Sequence, residues 1–181
     1  YMTPQQRSIY LQTRDDRNTW EQAETTLDFP IQFHIVRETN GTGGLNPIEL
    51  DGIMTGLNSY YINANIQFYE CSNVNYIDNS GNYNFAYSNA NKVSFTNAND
   101  VSGVINIYFM NSIYTAGTPS QTWCGYSTFP ASVSSNGGTY GILMDNGCAL
   151  NGTTMTHEVG HFFSLLHTHE TYVGAELVTR G

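Results

Sequence analysis

The chain has 181 residues and a formal net charge of −9, because 15 acidic residues are set against only six Lys and Arg. So few cations cannot neutralise a row of phosphates or bind an anionic bilayer surface, which disfavours nucleic acid and membranes as partners. The length suffices for one domain with a sizeable core, and no apolar run approaches the roughly 20 residues of a membrane helix.

The composition is typical of an exported protein. Charged residues make up only 12% of the chain, and Asn, Ser, Thr, Gly and Tyr supply the polarity. The cysteines are Cys71, Cys124 and Cys148, so one disulfide bond would leave one cysteine over. A disulfide bond is compatible with export, and the absence of a CxxC pair argues against a structural zinc knuckle. We therefore expect a secreted, extracellular protein with a disulfide bond.

The first part of the chain predicts alternating helices and strands. Thr3 followed by Pro4 suits a helix start, and so does Asn46 followed by Pro47. Apolar residues recur at every second position from Phe29 onward, as they do in a strand. The predicted elements are a helix over residues 3–25 within an N-terminal helical segment 1–28, a strand over 29–36, a helix over 47–62 and a strand over 66–71.

The later part predicts mostly strands before a final helix. Val104–Met110 is apolar enough to lie at the centre of a sheet. The order of elements predicts a layered α/β (α+β) fold. The other predicted elements are short β-like stretches at 83–87 and 93–96, a long loop over 112–138, a strand over 140–145 and a helix from about residue 154.

The segment from His157 to His167 has the spacing of a metal site. It reads HEVGHFFSLLH, so His157 and His161 are four residues apart and share one face of a helix. Two imidazoles at that spacing can each reach one Zn²⁺ ion. Glu158 is placed to take a proton from metal-activated water rather than to bind the metal.

His167 needs a different route to the metal, because it does not share that face of a straight helix. It can bind the same ion only if the chain turns back after about Ser164. Three protein nitrogens would then leave a fourth position open for water, which is the arrangement of catalytic zinc sites.

The HEVGHFFSLLH segment resembles the metzincin zinc-binding motif HExxHxxGxxH. Together with GILMD (141–145), NIYFMNSI (106–113) and GYSTFP (125–130), it resembles the pappalysin–cytophagalysin family, which includes ulilysin-like and mirolysin-like secreted proteases. The resemblance implies zinc on His157, His161 and His167 and a general base and acid in Glu158. It also implies a zincin-like twisted mixed sheet with one antiparallel edge strand, a backing helix and an active-site helix.

The predicted strand Tyr140–Asp145 matches the family's antiparallel edge strand by position. Such an edge can hydrogen-bond an extended substrate backbone. The resemblance therefore implies substrate-backbone contacts at Gly141, Ile142 and Leu143. The alternative is an ordinary edge strand without a substrate role.

Ser164 departs from the family pattern, which usually has Gly there. Gly permits the left-handed turn that redirects the chain toward the third ligand, and Ser in that conformation would cost about 1 kcal/mol. Metal binding is worth much more than this cost. Alternatively the turn is shifted, and His169, Glu170 or Glu176 is the third ligand.

A second departure concerns the floor of the cleft. The family has a methionine-containing turn after the third His, whereas all methionines here precede His157. We therefore expect residues 29–181 to form a metzincin-like N-terminal (upper) catalytic subdomain, with the C-terminal subdomain and its Met-turn not present in this chain.

The sequence thus predicts a secreted zinc endopeptidase. Its expected partners are protein or peptide substrates, a pro-segment and the C-terminal remainder of the same polypeptide. Two alternatives stay open: an inactive or nicked zinc-binding fragment of such a protease, and a Tyr- and Asn-rich extracellular binding module, for example for carbohydrate.

Overall fold

The structure is a computed structural model that describes residues 25–130 and 140–167. Residues 1–24 of the predicted N-terminal helical segment, and the alternative ligands at 169, 170 and 176, lie outside the described residues. The strands are β1 Leu27–Arg37, β2 Ile66–Glu70, β3 Asn75–Asp78, β4 Asn84–Tyr87, β5 Ile105–Met110, β6 Ser112–Thr115, β7 Thr118–Trp123, β8 Gly125–Tyr126 and β9 Ile142–Asp145. The helices are α1 Glu49–Tyr61, α2 Ser80–Tyr83, α3 Asn89–Asn99, α4 Asn146–Ala149 and α5 Thr154–Phe162.

A mixed sheet forms the centre of the described part of the chain. Its strands follow the order β2-β1-β5-β9-β8, and β3 also pairs with β1. All pairs in this sheet are parallel except β8 with β9. A smaller sheet has the order β4-β6-β7. This architecture confirms the predicted α/β fold with a mixed sheet and one antiparallel edge strand.

Both faces of the central strands are covered. Every residue of β5 is buried, because Ile107 and Phe109 face one apolar cluster while Tyr108 and Met110 face another. The first cluster also contains buried residues of α1 and α5, and the second contains Phe95 of α3. Continuous apolar runs are the pattern of strands covered on both sides, which is why the sequence predicted β5 well.

Two predictions in the middle of the chain were wrong. The stretch 93–96 lies in helix α3, whose start is capped by Ser88 Oγ accepting from Asn91 N at 3.1 Å. The cap and the burial of Phe95 override the local β propensity. The predicted loop over 112–138 contains β6, β7 and β8. All six residues of β7 are exposed, so this strand lacks the apolar alternation that sequence reading depends on.

The position predicted for the antiparallel edge strand was also wrong. β9 pairs with β5 in parallel, from Ile107↔Ile142 onward, and pairs on its other side with β8. The antiparallel strand at the edge is β8, through Tyr126↔Leu143 and Gly125↔Met144. Strand order depends on pairing between segments distant in sequence, and the resemblance by position could not decide it.

Lys92, the chain's single lysine, joins helix α3 to the segment that follows β8. Its side chain is almost fully buried, and its ammonium donates to Thr128 Oγ1, which is buried as well. Burial lowers the pKa of Lys92 to about 8, although the charge of Asp100 acts in the opposite direction. Burial of the charged ammonium therefore costs folding free energy, and this cost depends on pH.

We expect the contribution of Lys92 to the free energy of unfolding to rise between about pH 8 and pH 10.5, the folded and ordinary pKa values of Lys92. In that window the folded chain has released this proton while the unfolded chain still holds it, so a higher pH favours folding through this group. Urea unfolding at stepped pH should show the natural chain gaining stability relative to Lys92→Met across this window. Parallel stability curves for the two would contradict the prediction. NMR of selectively labelled lysine reads the same pKa from one signal.

Candidate metal centre

Three histidine side chains converge at the end of helix α5. The Nε2 atoms of His157 and His161 lie 2.9 Å apart, and His167 Nε2 lies 3.1 Å from each of them. Nitrogen ligands at 2.0–2.1 Å from a tetrahedral zinc ion are about 3.3 Å from one another. The triangle of imidazole nitrogens thus has nearly the size that zinc requires, and imidazole is a ligand that zinc prefers.

A left-handed turn brings His167 to this cluster. Helix α5 ends at Phe162, and Ser164 has a φ of 69°. Ser164 N donates to His161 O and Leu165 N donates to Gly160 O, each at 2.9 Å, which is the bond pattern of a Schellman motif. The turn predicted at Ser164 is present, and it is not shifted along the chain.

The hydrogen bonds of His161 fix which nitrogen faces the cluster. Its Nδ1 lies 2.7 Å from Leu165 O, and only an N–H can donate to a carbonyl. Nε2 of the neutral ring therefore offers a lone pair to the cluster, as a metal ligand must. The ring of Phe129 lies 5.0 Å from the His161 ring and limits its rotation.

His157 is the most exposed of the three histidines, and its neutral form is favoured. Burial lowers its pKa, and the charges of His161 and His167 lower it further. Helix α5 is held beside it, because the Tyr61 hydroxyl of α1 donates to Thr156 O at 3.1 Å. Asn151 Oδ1 accepts from Thr153 N at 3.0 Å and from Thr154 N at 2.9 Å, which caps the helix start.

Glu158 is buried against the edge strand. Its side chain is only 6% exposed, and burial raises its pKa to about 7. A Cβ added to Gly125 of β8 would lie 2.7 Å from Glu158 Cγ and 2.9 Å from Oε1. The carboxyl group can occupy this place only because residue 125 has no side chain. Gly125 lies in the GYSTFP segment, but nothing in the sequence pattern indicates its contact with Glu158.

A disulfide bond fixes the chain at the entrance to β8. Cys124 is bonded to Cys148 of α4, which confirms the predicted disulfide, and Cys71 is free and exposed. Next to the bond, Asp145 N donates to Cys124 O at 3.0 Å. The cross-link therefore ties the edge strand to the segment that leads into α5.

An open cavity of about 480 Å³ lies between the edge strand and helix α5. It is lined by residues 122–125, by Thr153 and Thr154, and by His157 and Glu158. The side chains with metal-site spacing are thus accessible from a space that a ligand can enter.

Comparison with known proteins finds a relative in sequence and a neighbour in structure. No family model matches the chain. It is 30% identical over 157 residues to an extracellular metalloprotease of Colletotrichum graminicola, covering 78% of this chain and 52% of the relative. It superposes with a TM-score of 0.61 and 19% identity on a promirolysin mutant of Tannerella forsythia, covering 90% of this chain and 64% of the other. The chain has the fold of a metzincin-type metalloprotease.

The predicted metzincin-like fold is therefore confirmed, while membership of the pappalysin–cytophagalysin family stays a prediction. The chain spans about half the length of the curated relative it matches. Among residues 25–130 and 140–167, no helix has the length and apolar character needed to span a bilayer.

At Leu143, one of the three residues expected to contact substrate backbone, both edges of the strand are already paired. Ile142 and Leu143 are buried in β9, where Leu143 pairs with Tyr108 on one side and with Tyr126 on the other. Gly141 precedes the strand and is buried against Thr96 and Tyr108. A backbone edge beside the cavity is offered instead by Gly125 and Tyr126 of β8.

We expect Ser164→Val to weaken zinc binding about tenfold, because a β-branched residue in the left-handed region adds strain comparable to about 1–2 kcal/mol. Ser164→Gly should bind zinc at least as tightly as the natural chain. Competition with a chromophoric chelator measures both affinities. Ser59→Val, at an exposed position of α1, is the matched control. Equal affinities for the Val and Gly variants would show that the turn does not limit the site.

Proposed function

We propose that the chain carries the zinc site of a secreted zinc endopeptidase. The observation that carries this proposal is the convergence of His157, His161 and His167, with Nε2 atoms 2.9–3.1 Å apart, beside the buried carboxyl of Glu158. Three nitrogen ligands with an adjacent carboxyl group and an open cavity are the parts of a hydrolytic zinc site. The metalloprotease names of the relatives support the same function.

The proposed role of each residue follows from where it lies in the site. His157, His161 and His167 would hold zinc, which supplies a Lewis acid that activates water and polarises a peptide carbonyl. Glu158 would take a proton from the attacking water onto its carboxylate and return it to the leaving amine. The backbone of β8 beside Glu158 would pair with an extended substrate, because this strand lies at the edge of the described sheet.

We propose that the protein is secreted, on the basis of its composition and of the relative that it matches. The low Lys and Arg content, the disulfide bond and the extracellular relative support secretion. We propose peptides or proteins as substrates, with a pro-segment and a C-terminal remainder as further parts of the enzyme. Membership of the pappalysin–cytophagalysin family, ulilysin-like or mirolysin-like, is proposed on the motif, and the likeness in fold to promirolysin supports it.

Metal analysis tests the ligand assignment. We expect one zinc ion per folded chain, removal of that zinc by chelator, and loss of most zinc in His167→Ala, because two ligands on one helix bind zinc much more weakly than three. His169→Ala should keep its zinc. The reverse pattern, with zinc lost in His169→Ala and kept in His167→Ala, would transfer the third ligand to residue 169. A folded chain without zinc would overturn the proposal.

Substitution of Glu158 tests the chemistry separately from the metal. We expect Glu158→Gln and Glu158→Ala to lower peptide hydrolysis by about 10²–10⁴-fold, the usual contribution of general acid–base catalysis, while zinc stays bound. Casein cleavage with and without chelator measures activity, and metal analysis measures zinc. Glu49→Gln, exposed in the first turn of α1, is the matched control. Near-normal turnover in Glu158→Gln would exclude this role, and zinc binding without any hydrolysis in the natural chain would favour the inactive fragment.

A further inference from the structure

Trp123 is a large aromatic side chain that is partly uncovered beside the histidine cluster. It is the last residue of β7, it is 37% exposed, and it lines the same cavity as His157 and Glu158. An exposed tryptophan in a cavity next to reactive groups is typical of ligand contact, since aromatic residues dominate binding hot spots.

A hydrogen bond and two tyrosine rings hold the indole of Trp123 in place. Its Nε1 donates to Thr115 Oγ1 at 2.9 Å. Its ring centroid lies 5.4 Å from that of Tyr87 and 6.2 Å from that of Tyr126, and the two tyrosine rings are 4.6 Å apart. The disulfide bond of the neighbouring Cys124 fixes the adjoining backbone. A side chain that is already ordered loses little entropy when a ligand packs on its open part.

Most of the other residues that line this cavity are uncharged. They include Thr122, Thr153 and Thr154, whose side chains are short, and the disulfide-bonded Cys124. Among the lining residues described, Glu158 is the single acid, and no Lys or Arg is present. With a net charge of −9 over the whole chain, an acidic side chain would be repelled here and would find no Lys or Arg among the described lining residues to pair with.

We propose that this cavity is a substrate subsite that takes one apolar, preferably aromatic, side chain of the peptide, with Trp123 as its specificity-determining wall. This inference rests on the proposed peptidase function. Apolar packing against the Trp123 ring would favour Phe, Tyr or Leu at one position of the substrate over Gly or Glu, and ring-on-ring packing would add to this for Phe and Tyr.

Fluorescence tests the subsite without requiring turnover. The chain has two tryptophans, so Trp20→Phe leaves Trp123 as the sole source of tryptophan emission. The zinc-loaded Trp20→Phe/Glu158→Gln chain is titrated with blocked alanine hexapeptides that carry Phe, Gly, Glu or Arg at each position in turn. At one position we expect Phe to shift the Trp123 emission and to bind at least tenfold more tightly than Gly or Glu. Equal affinities for Phe and Gly at every position, or tighter binding of Arg than of Phe, would overturn the proposal.

Kinetics test whether Trp123 sets the preference. In the chain with native Glu158, Trp123→Ala should lower kcat/KM for the preferred Phe peptide about tenfold and leave the matched Gly peptide unchanged, while Trp123→Phe keeps most of the preference. Tyr60→Ala, which removes an exposed ring on α1, is the control. An equal loss for both peptides would indicate a merely structural role and overturn the proposal.

The two proposals fail in different ways. Chelator-sensitive hydrolysis without any preference for Phe would remove the subsite and leave the peptidase function. A Phe-selective response of Trp123 in a zinc-loaded chain that hydrolyses nothing would keep the subsite and remove the peptidase function.

Discussion

The reversal of the chain at Ser164 is the constraint on which the histidine cluster depends. A straight helix places His157 and His161 on one face and carries His167 away from them. The left-handed residue and its two backbone hydrogen bonds bring His167 Nε2 to 3.1 Å from both. Ser costs about 1 kcal/mol in that conformation, whereas apparent zinc-binding energies in small folded sites are about 10–16 kcal/mol. The backbone strain at Ser164 is therefore small compared with the zinc-binding energy.

The edge strand β8 is the second element that the site requires, and it is held from several directions. Pairing with β9 sets its register, and the Cys124–Cys148 bond fixes its entrance. Beyond its end, the buried ammonium of Lys92 holds Thr128, and Phe129 packs on His161. Since these contacts come from four different elements, the position of β8 against Glu158 is a property of the whole packed structure.

Fold and chemistry rest on different observations. The likeness to promirolysin, at 19% identity, concerns the course of the backbone. The case for zinc chemistry comes from side chains of this chain: three imidazole nitrogens that face one point, one ring whose tautomer is fixed by Leu165, and a carboxyl group that fits because residue 125 is glycine. Trp123 bears on recognition rather than reaction, since its ring packs on Tyr87 and Tyr126, stays partly exposed, and belongs to a residue that lines the cavity.

The sequence by itself determined the features that depend on local spacing: the buried strand β5, the helix that carries His157 and His161, and the unusual turn at Ser164. Periodicity and backbone preference act over a few residues, so a sequence shows them directly. The tertiary structure alone decided which strand forms the antiparallel edge, which residues face Glu158, and that Gly125, Lys92 and Trp123 belong near the site. These features depend on pairings between residues tens of positions apart. The exposed strand β7 has no apolar pattern from which the sequence could predict it.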